Sequence, residues 1–185
     1  MIEFQDRVAV GTGAGRGLGA AHARLLASLG AAVVVNDPGV ATDGTGEERR
    51  PADEVAAAIR EAGGAAVADH ASVSTPDGGE AIVEHALDEF GRIDVVINNA
   101  GILRDRAFHN LEWPDLDAVL DVHLKGAFYV TRPAFRAMRE RHYGRILVTS
   151  SNSGILGNFG QANYGAAKAG LIGFMNVLKQ ECAKY

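Results

Sequence analysis

Arg7-Val-Ala-Val-Gly11-Thr12-Gly13-Ala14-Gly15-Arg16-Gly17-Leu18-Gly19 is the stretch whose reading decides the fold. Its apolar start reads as a short buried strand. The glycines that follow read as a tight turn, and Ala20 to Leu29 as a helix with one apolar face, ended by Gly30. A strand, a glycine turn and a helix together make a phosphate cradle. Glycine lets the backbone approach an anion closely, and a helix N-terminus aims free N–H groups and the positive end of its dipole at it.

The next segment gives that cradle a context. Ala32 to Val35 reads as a second buried strand and ends in Asn36-Asp37. An acidic residue at this distance from the glycines suits the ribose hydroxyls of NAD and repels the 2′-phosphate of NADP. No arginine adjoins Asp37 in sequence to offset that repulsion.

Strand-like and helix-like segments alternate along the rest of the chain. Pro38 to Pro51 reads as a loop, Ala52 to Ala62 as a helix and Ala65 to Ala68 as a third strand. Asp77 to Phe90 reads as a helix, Asp94 to Ile97 as a fourth strand followed by Asn98-Asn99-Ala100-Gly101. A long helix opens at Pro114 and runs toward Arg141. Gly144 to Thr149 is a fifth strand, and Gln161 to Lys184 a final helix. Apolar strands separated by helices imply one α/β domain, a doubly wound parallel sheet covered on both faces. Ligands then sit at the carboxyl ends of the strands. The glycine loop, Asp37, Asn98 to Gly101 and Ser151 all fall there.

Composition narrows the function classes. The chain has 185 residues, 47% of them hydrophobic and 22% charged, as in an ordinary globular domain. Its formal net charge of −5 and the lack of a basic stripe argue against nucleic acid as a partner. The six histidines and the single cysteine, Cys182, show no metal-ligand spacing, so no metal is expected. One cysteine allows no internal disulfide, which suits a reducing, cytoplasmic setting. No signal peptide or membrane-length apolar run is visible, and no membrane partner is expected.

Tyr164-Gly-Ala-Ala-Lys168 carries the chemistry. A free phenol ionises only near pH about 10. An ammonium one helical turn away, at i and i+4, favours the phenolate and makes proton transfer near neutrality feasible. A serine hydroxyl, Ser151, could hold a substrate oxygen beside them while hydride moves at its carbon.

Thr12 to Gly19, Asn98-Asn-Ala-Gly101, Ser151 and Tyr164-x-x-x-Lys168 together resemble the short-chain dehydrogenase/reductase family. The resemblance covers the whole chain and implies a Rossmann fold. Within the family the chain is most similar to the (3R)-hydroxyacyl-CoA dehydrogenase module of multifunctional enzyme type 2. Val35-Asn-Asp37, Asp43-Gly-Thr-Gly46, Gly101-Ile-Leu-Arg-Asp105, Asp121-Val-His-Leu-Lys-Gly126 and Gly157-Asn-Phe-Gly-Gln-Ala-Asn-Tyr164 carry that narrower match. The resemblance implies Tyr164 as acid/base, Lys168 as the residue that favours the phenolate and binds the nicotinamide ribose, and Ser151 on the substrate oxygen. It places Gly13, Gly15, Arg16, Gly17, Leu18 and Gly19 on the pyrophosphate and Asp37 on the adenosine ribose. Ser72 and Val73 come near the adenine, and Asn98, Ala100 and Gly101 on the cofactor floor. It implies NAD as cofactor, an acyl-CoA-like small-molecule substrate and a homodimer or homotetramer. Asn98-Asn99 also fits a plain strand-terminating turn.

Three departures from the family pattern stand out. His123 occupies the position of an asparagine thought to hold a relay water. It could relay protons itself, being near its pKa at neutrality, or be a packed structural histidine. Ala71 replaces an aspartate that meets the adenine. Pro133 lies inside the long helix, where a kink or a break is expected at a cost of about 3 kcal/mol. Family members also continue past the tyrosine helix with further strands and a substrate loop. The chain therefore reads as the N-terminal portion of a longer domain, or as a short form completed by oligomerising. A nucleotide-binding chain without catalysis, a 3-oxoacyl carrier-protein reductase and a steroid dehydrogenase are the alternative functions.

Overall fold

The computed structural model describes residues 3–46 and 50–185. Five parallel strands form one sheet in the order β3-β2-β1-β4-β5. They are β1 (Val8–Thr12), β2 (Ala32–Asn36), β3 (Ala65–Asp69), β4 (Val95–Asn98) and β5 (Arg145–Val148). Among the described residues six α-helices connect or follow them: α1 (Gly17–Ser28), α2 (Arg50–Glu61), α3 (Pro76–Phe90), α4 (Trp113–Leu120), α5 (Gly126–Glu140) and α6 (Ala162–Glu181). The doubly wound α/β expectation holds, with element ends shifted by up to three residues, as at the start of α1 and the end of α6. Of the loop expected over 38–51, residues 47–49 lie outside the described residues, and α2 already begins at Arg50.

Strand alternation divides the core. Ala9, Val33, Val35, Val95 and Ile97 face one way, against the alanine-rich faces of α1 and α2. Val10, Val34 and Val96 face the other way, against Ile82, Val83 and Ala86 of α3 and Val130, Ala134 and Met138 of α5. β1 to β4 contribute to both layers, so these strands read as unbroken apolar runs. The edge strand β5 is less covered, with Leu147 48% exposed.

The chain winds outward from β1 to β3, then crosses back to place β4 on the other side of β1. The crevice between the ends of β1 and β4 is the topological switch point, where ligands bind in such sheets. Thr12 closes the floor of this crevice. Its hydroxyl donates to the Ile97 carbonyl and accepts the N–H groups of Asn99 and Ala100, each at 3.1 Å.

The long helix differs from its expectation. It runs on through Pro133, and its hydrogen-bonding register changes earlier, in a π-helical turn at Asp121–Lys125 between α4 and α5. Proline removes the helical partner of the Tyr129 carbonyl. That carbonyl faces Gly79 of α3, where a Cβ would stand 2.7 Å from the Tyr129 oxygen. A glycine on the neighbouring helix thus lets the two helices close on the proline turn.

Candidate active site

A cleft of about 790 Å³ opens along the carboxyl ends of the strands, from Asp37 and His70 at one end to Tyr164 and Lys168 at the other. Its size lies within the roughly 300–1,000 Å³ of small-molecule sites. Of the candidate site residues, Gly13, Arg16, Asp37, Ser72, Val73, Ala100, Gly101, His123, Tyr164 and Lys168 line it, and Ser151 does not.

The glycine turn is built for close approach. Gly13 has φ +58°, and a Cβ there would stand 2.8 Å from Ala100 Cα. A Cβ on Gly19 would stand 2.1 Å from the Gly13 carbonyl oxygen, a backbone atom that cannot yield. A Cβ on Gly15 would stand 2.7 Å from Pro51 Cβ and 2.8 Å from Asp37 Oδ2, so Gly15 and Gly19, expected on the pyrophosphate, serve packing behind the cleft instead. Gly17 has φ +52° with open space before it, and Leu18 is exposed. The N-terminus of α1 has no side-chain cap and no acidic residue in its first turn. α3, by contrast, has the Thr75 hydroxyl accepting from Gly78 N–H. An uncapped N-terminus beside bare glycine suits a pyrophosphate.

At the far end Asp37 is held in place by the loop itself. Its Oδ2 accepts from Gly15 N–H at 3.0 Å and its Oδ1 from Gly39 N–H at 2.8 Å. The carboxylate keeps lone pairs for ribose hydroxyls. Arg16 lines the same cleft, with its Nη1 donating to the Val40 carbonyl at 3.3 Å. Ala71 packs against the core and its carbonyl accepts from Asn36 Nδ2, so His70 and Ser72 form the cleft wall there.

At the reacting end Lys168 is 3% exposed. Its ammonium donates a short hydrogen bond to the Thr149 carbonyl, and Nζ lies 5.5 Å from the Tyr164 ring centroid. Burial brings its pKa down to about 8. The turn after β5 is fastened to α6 beside it. Ser150 Oγ donates to the Lys168 carbonyl at 3.0 Å, and a Cβ on Gly154 would stand 2.7 Å from Ala169 N. That turn carries Ser151, whose hydroxyl caps the 3₁₀ turn Asn152–Gly154 by accepting from Ser153 N–H.

Two further expectations need correction. Asn98 does not line the large cleft. It shares a sheet face with Val96, turned toward α5, and its Nδ2 donates to Thr131 Oγ1 at 2.9 Å. Asn99 takes the cradle role, its Nδ2 donating to the carbonyls of Thr12 and Gly13. Strand parity carries this signal: Val96 faces α5, so Asn98 must too. His123 is not near its pKa at neutrality. Burial first, and the Lys168 charge second, lower it to about 4 and keep the ring neutral. The ring lies against Gly101, where a Cβ would stand 2.3 Å from its Cε1. It meets the Tyr164 ring edge-on at 5.1 Å, and Nε2 lies 3.0 Å from the Ile102 nitrogen and 2.7 Å from the Ile102 carbonyl oxygen. Nδ1 is buried without a partner.

Sequence reasoning also missed Asn163. Fully buried, it accepts the Tyr164 N–H on Oδ1 and donates through Nδ2 to the carbonyls of Arg104 and Asp115. A lone asparagine in a helical pattern gives no hint of such a role.

The short chain dehydrogenase family profile matches residues 7–185. A protein described as a short-chain type dehydrogenase/reductase from Mycobacterium tuberculosis is 56% identical over 185 residues, covering 100% of this chain and 65% of that protein. Mouse peroxisomal multifunctional enzyme type 2 is 54% identical over 183 residues, covering 99% of this chain and 24% of its own length. Among solved structures, full-length peroxisomal multifunctional enzyme type 2 from Drosophila melanogaster superposes with a TM-score of 0.82 at 46% identity. The match covers 99% of this chain and 29% of that one. The chain thus spans part of the length of the relatives it matches. Glycine cradle, tyrosine–lysine pair and these similarities agree: the chain belongs to the short-chain dehydrogenase family.

Proposed function

We propose that this chain carries the dinucleotide and proton-transfer site of an NAD-dependent oxidoreductase interconverting a secondary alcohol and a ketone. The favoured substrate is a (3R)-hydroxyacyl-CoA/3-oxoacyl-CoA pair. One observation carries the reading: a buried lysine beside Tyr164 at one end of a cleft whose other end is a carboxylate-bearing glycine loop. The uncapped α1 terminus and open Gly17 fit the pyrophosphate, and Asp37 fits an unphosphorylated adenosine ribose.

NAD, when bound, supplies the hydride acceptor. Ser151 Oγ holds the substrate oxygen by a hydrogen bond. Tyr164 Oη takes the hydroxyl proton as hydride leaves the carbinol carbon, and returns it in the reverse direction. Lys168, fixed by Thr149, places positive charge beside Tyr164 and would bind the nicotinamide ribose. Neutral His123 acts on Tyr164 by edge-on packing.

The substrate class rests on the names of the similar proteins, which include a hydroxyacyl-CoA dehydrogenase from Mycobacterium tuberculosis and a 3-oxoacyl-[acyl-carrier-protein] reductase from Synechocystis. Asp37 favours the first of these over an NADP-linked reductase. A cytoplasmic setting and a homodimer or homotetramer complete the reading. No helix among the described residues is long and apolar enough to cross a membrane. The test is NADH formation from a (3R)-hydroxyacyl-CoA by the chain in its full reading frame. Tyr164→Phe should abolish turnover and spare NAD binding; turnover retained in that variant would refute the mechanism.

A further inference from the structure

The segment Val40–Gly46 forms a strap along the cleft: Val40, Thr42, Gly44 and Gly46 all line it. The strap is folded on itself. Ala41 N–H donates to the Thr45 carbonyl at 2.7 Å, and Asp43 Oδ1 accepts from both the N–H and the hydroxyl of Thr45. It follows Gly39, whose N–H is bonded to Asp37, so one end adjoins the ribose site. Its far side is tied across the cleft. The Thr42 carbonyl accepts from Leu103 N–H at 2.8 Å, and the Asp43 carbonyl from Arg104 Nε at 2.9 Å.

Arg104 has two further partners. Its Nη1 donates to Asp115 Oδ1 on α4 at 3.2 Å, as an ion pair. Its backbone carbonyl accepts from Asn163 Nδ2 at 3.0 Å, and Asn163 in turn accepts the Tyr164 N–H at 2.8 Å. Asn163 also donates to the Asp115 carbonyl. Arg104, Asp115 and Asn163 thus form a closed hydrogen-bonded triangle, with the strap on one corner and Tyr164 on another. The planar guanidinium fork allows one side chain to serve strap and helix at once; an ammonium has no such geometry.

We propose that Arg104 is a positioning residue that couples closure of the Val40–Gly46 strap over a bound dinucleotide to the alignment of Tyr164. This rests on the reading that the cleft takes a nicotinamide dinucleotide. A ligand reaching from Asp37 to Lys168 touches both sides of the triangle. Binding at the adenosine end holds the strap, the strap holds the Arg104 guanidinium, the guanidinium holds Asp115, and the Asp115 and Arg104 carbonyls hold Asn163 in the first turn of α6. A network of this kind links two sites only if one element is biased by both, and Arg104 is that element here.

The test is an NADH fluorescence titration combined with hydrogen–deuterium exchange of segments 40–46 and 163–168, on the unaltered chain and on Arg104→Ala. In the unaltered chain NADH should slow exchange in both segments. In Arg104→Ala the affinity should fall about tenfold, the scale of one lost charge-assisted hydrogen bond. NADH should then slow exchange in 40–46 or 163–168 but no longer in both. A role confined to fold stability would lower the melting temperature and leave the joint response intact. If Arg104→Ala does not fold, Arg104→Lys keeps the charge for Asp115 and should still lose the joint response. Unchanged affinity with both segments responding together, in either variant that folds, overturns the proposal. Failure of the unaltered chain to bind NADH would instead overturn the dinucleotide reading beneath it.

Discussion

Acid should destabilise this protein through His123, and the sign and size follow from its surroundings. The ring is 5% exposed, lies against Gly101 and Tyr164, and sits near the buried Lys168 charge. Its folded pKa is about 4 against an ordinary 6.5. Between those values the unfolded chain binds a proton that the folded chain refuses. Folding stability is therefore lost as pH falls through 6.5 toward 4, and the loss levels off below 4. At 1.36 kcal/mol per pKa unit the loss amounts to about 3 kcal/mol, a large share of a typical 5–15 kcal/mol. His123→Gln places an amide where Nε2 meets Ile102 and removes the titration. Urea unfolding of both proteins across this pH range is the assay. Carboxylates contribute to the acid loss in both, so the difference between the two curves isolates His123. The unaltered chain should lose about 3 kcal/mol more than the variant. Parallel curves would refute the argument and show that the ring is charged, or hydrated, in the folded state.

Three other perturbations have defined outcomes. Gly19→Ala puts a methyl against the Gly13 carbonyl oxygen; it should cost about 1–3 kcal/mol in thermal unfolding and abolish detectable NAD binding. Asn163→Ala strips partners from the Tyr164 N–H and the Arg104 and Asp115 carbonyls, so urea unfolding should show a loss of about 2–3 kcal/mol. Lys168 titrates at about 8 when folded against 10.5, so its burial penalises folding below 8 and is relieved as pH rises through 10.5. Unaltered protein should gain stability over that window relative to Lys168→Met, and equal slopes would contradict the buried-ammonium assignment.

Much of this was legible in the chain because local chemistry and global fold point the same way. Glycine spacing after an apolar strand required a cradle, and Tyr164 with Lys168 at i and i+4 required a shared helix face. Strand alternation even contained the assignment of Asn98 to α5, although the adjacent pair Asn98-Asn99 hid it behind turn chemistry. What stayed hidden depends on contacts distant in sequence. The π-helical turn around His123, its refusal of a proton, the Gly79 approach that accommodates Pro133, and the ties from Asp43 through Arg104 to Asn163 are properties of packed neighbours. No periodicity announces them.

The central claim is that the cleft is a site for NAD. Calorimetric titration of this 185-residue chain with NAD and with NADP tests it most directly. The account predicts binding of NAD, weaker binding of NADP because Asp37 opposes the 2′-phosphate, and a narrowed difference in Asp37→Ala. No binding of either nucleotide, or NADP bound more tightly through Arg16, would contradict it.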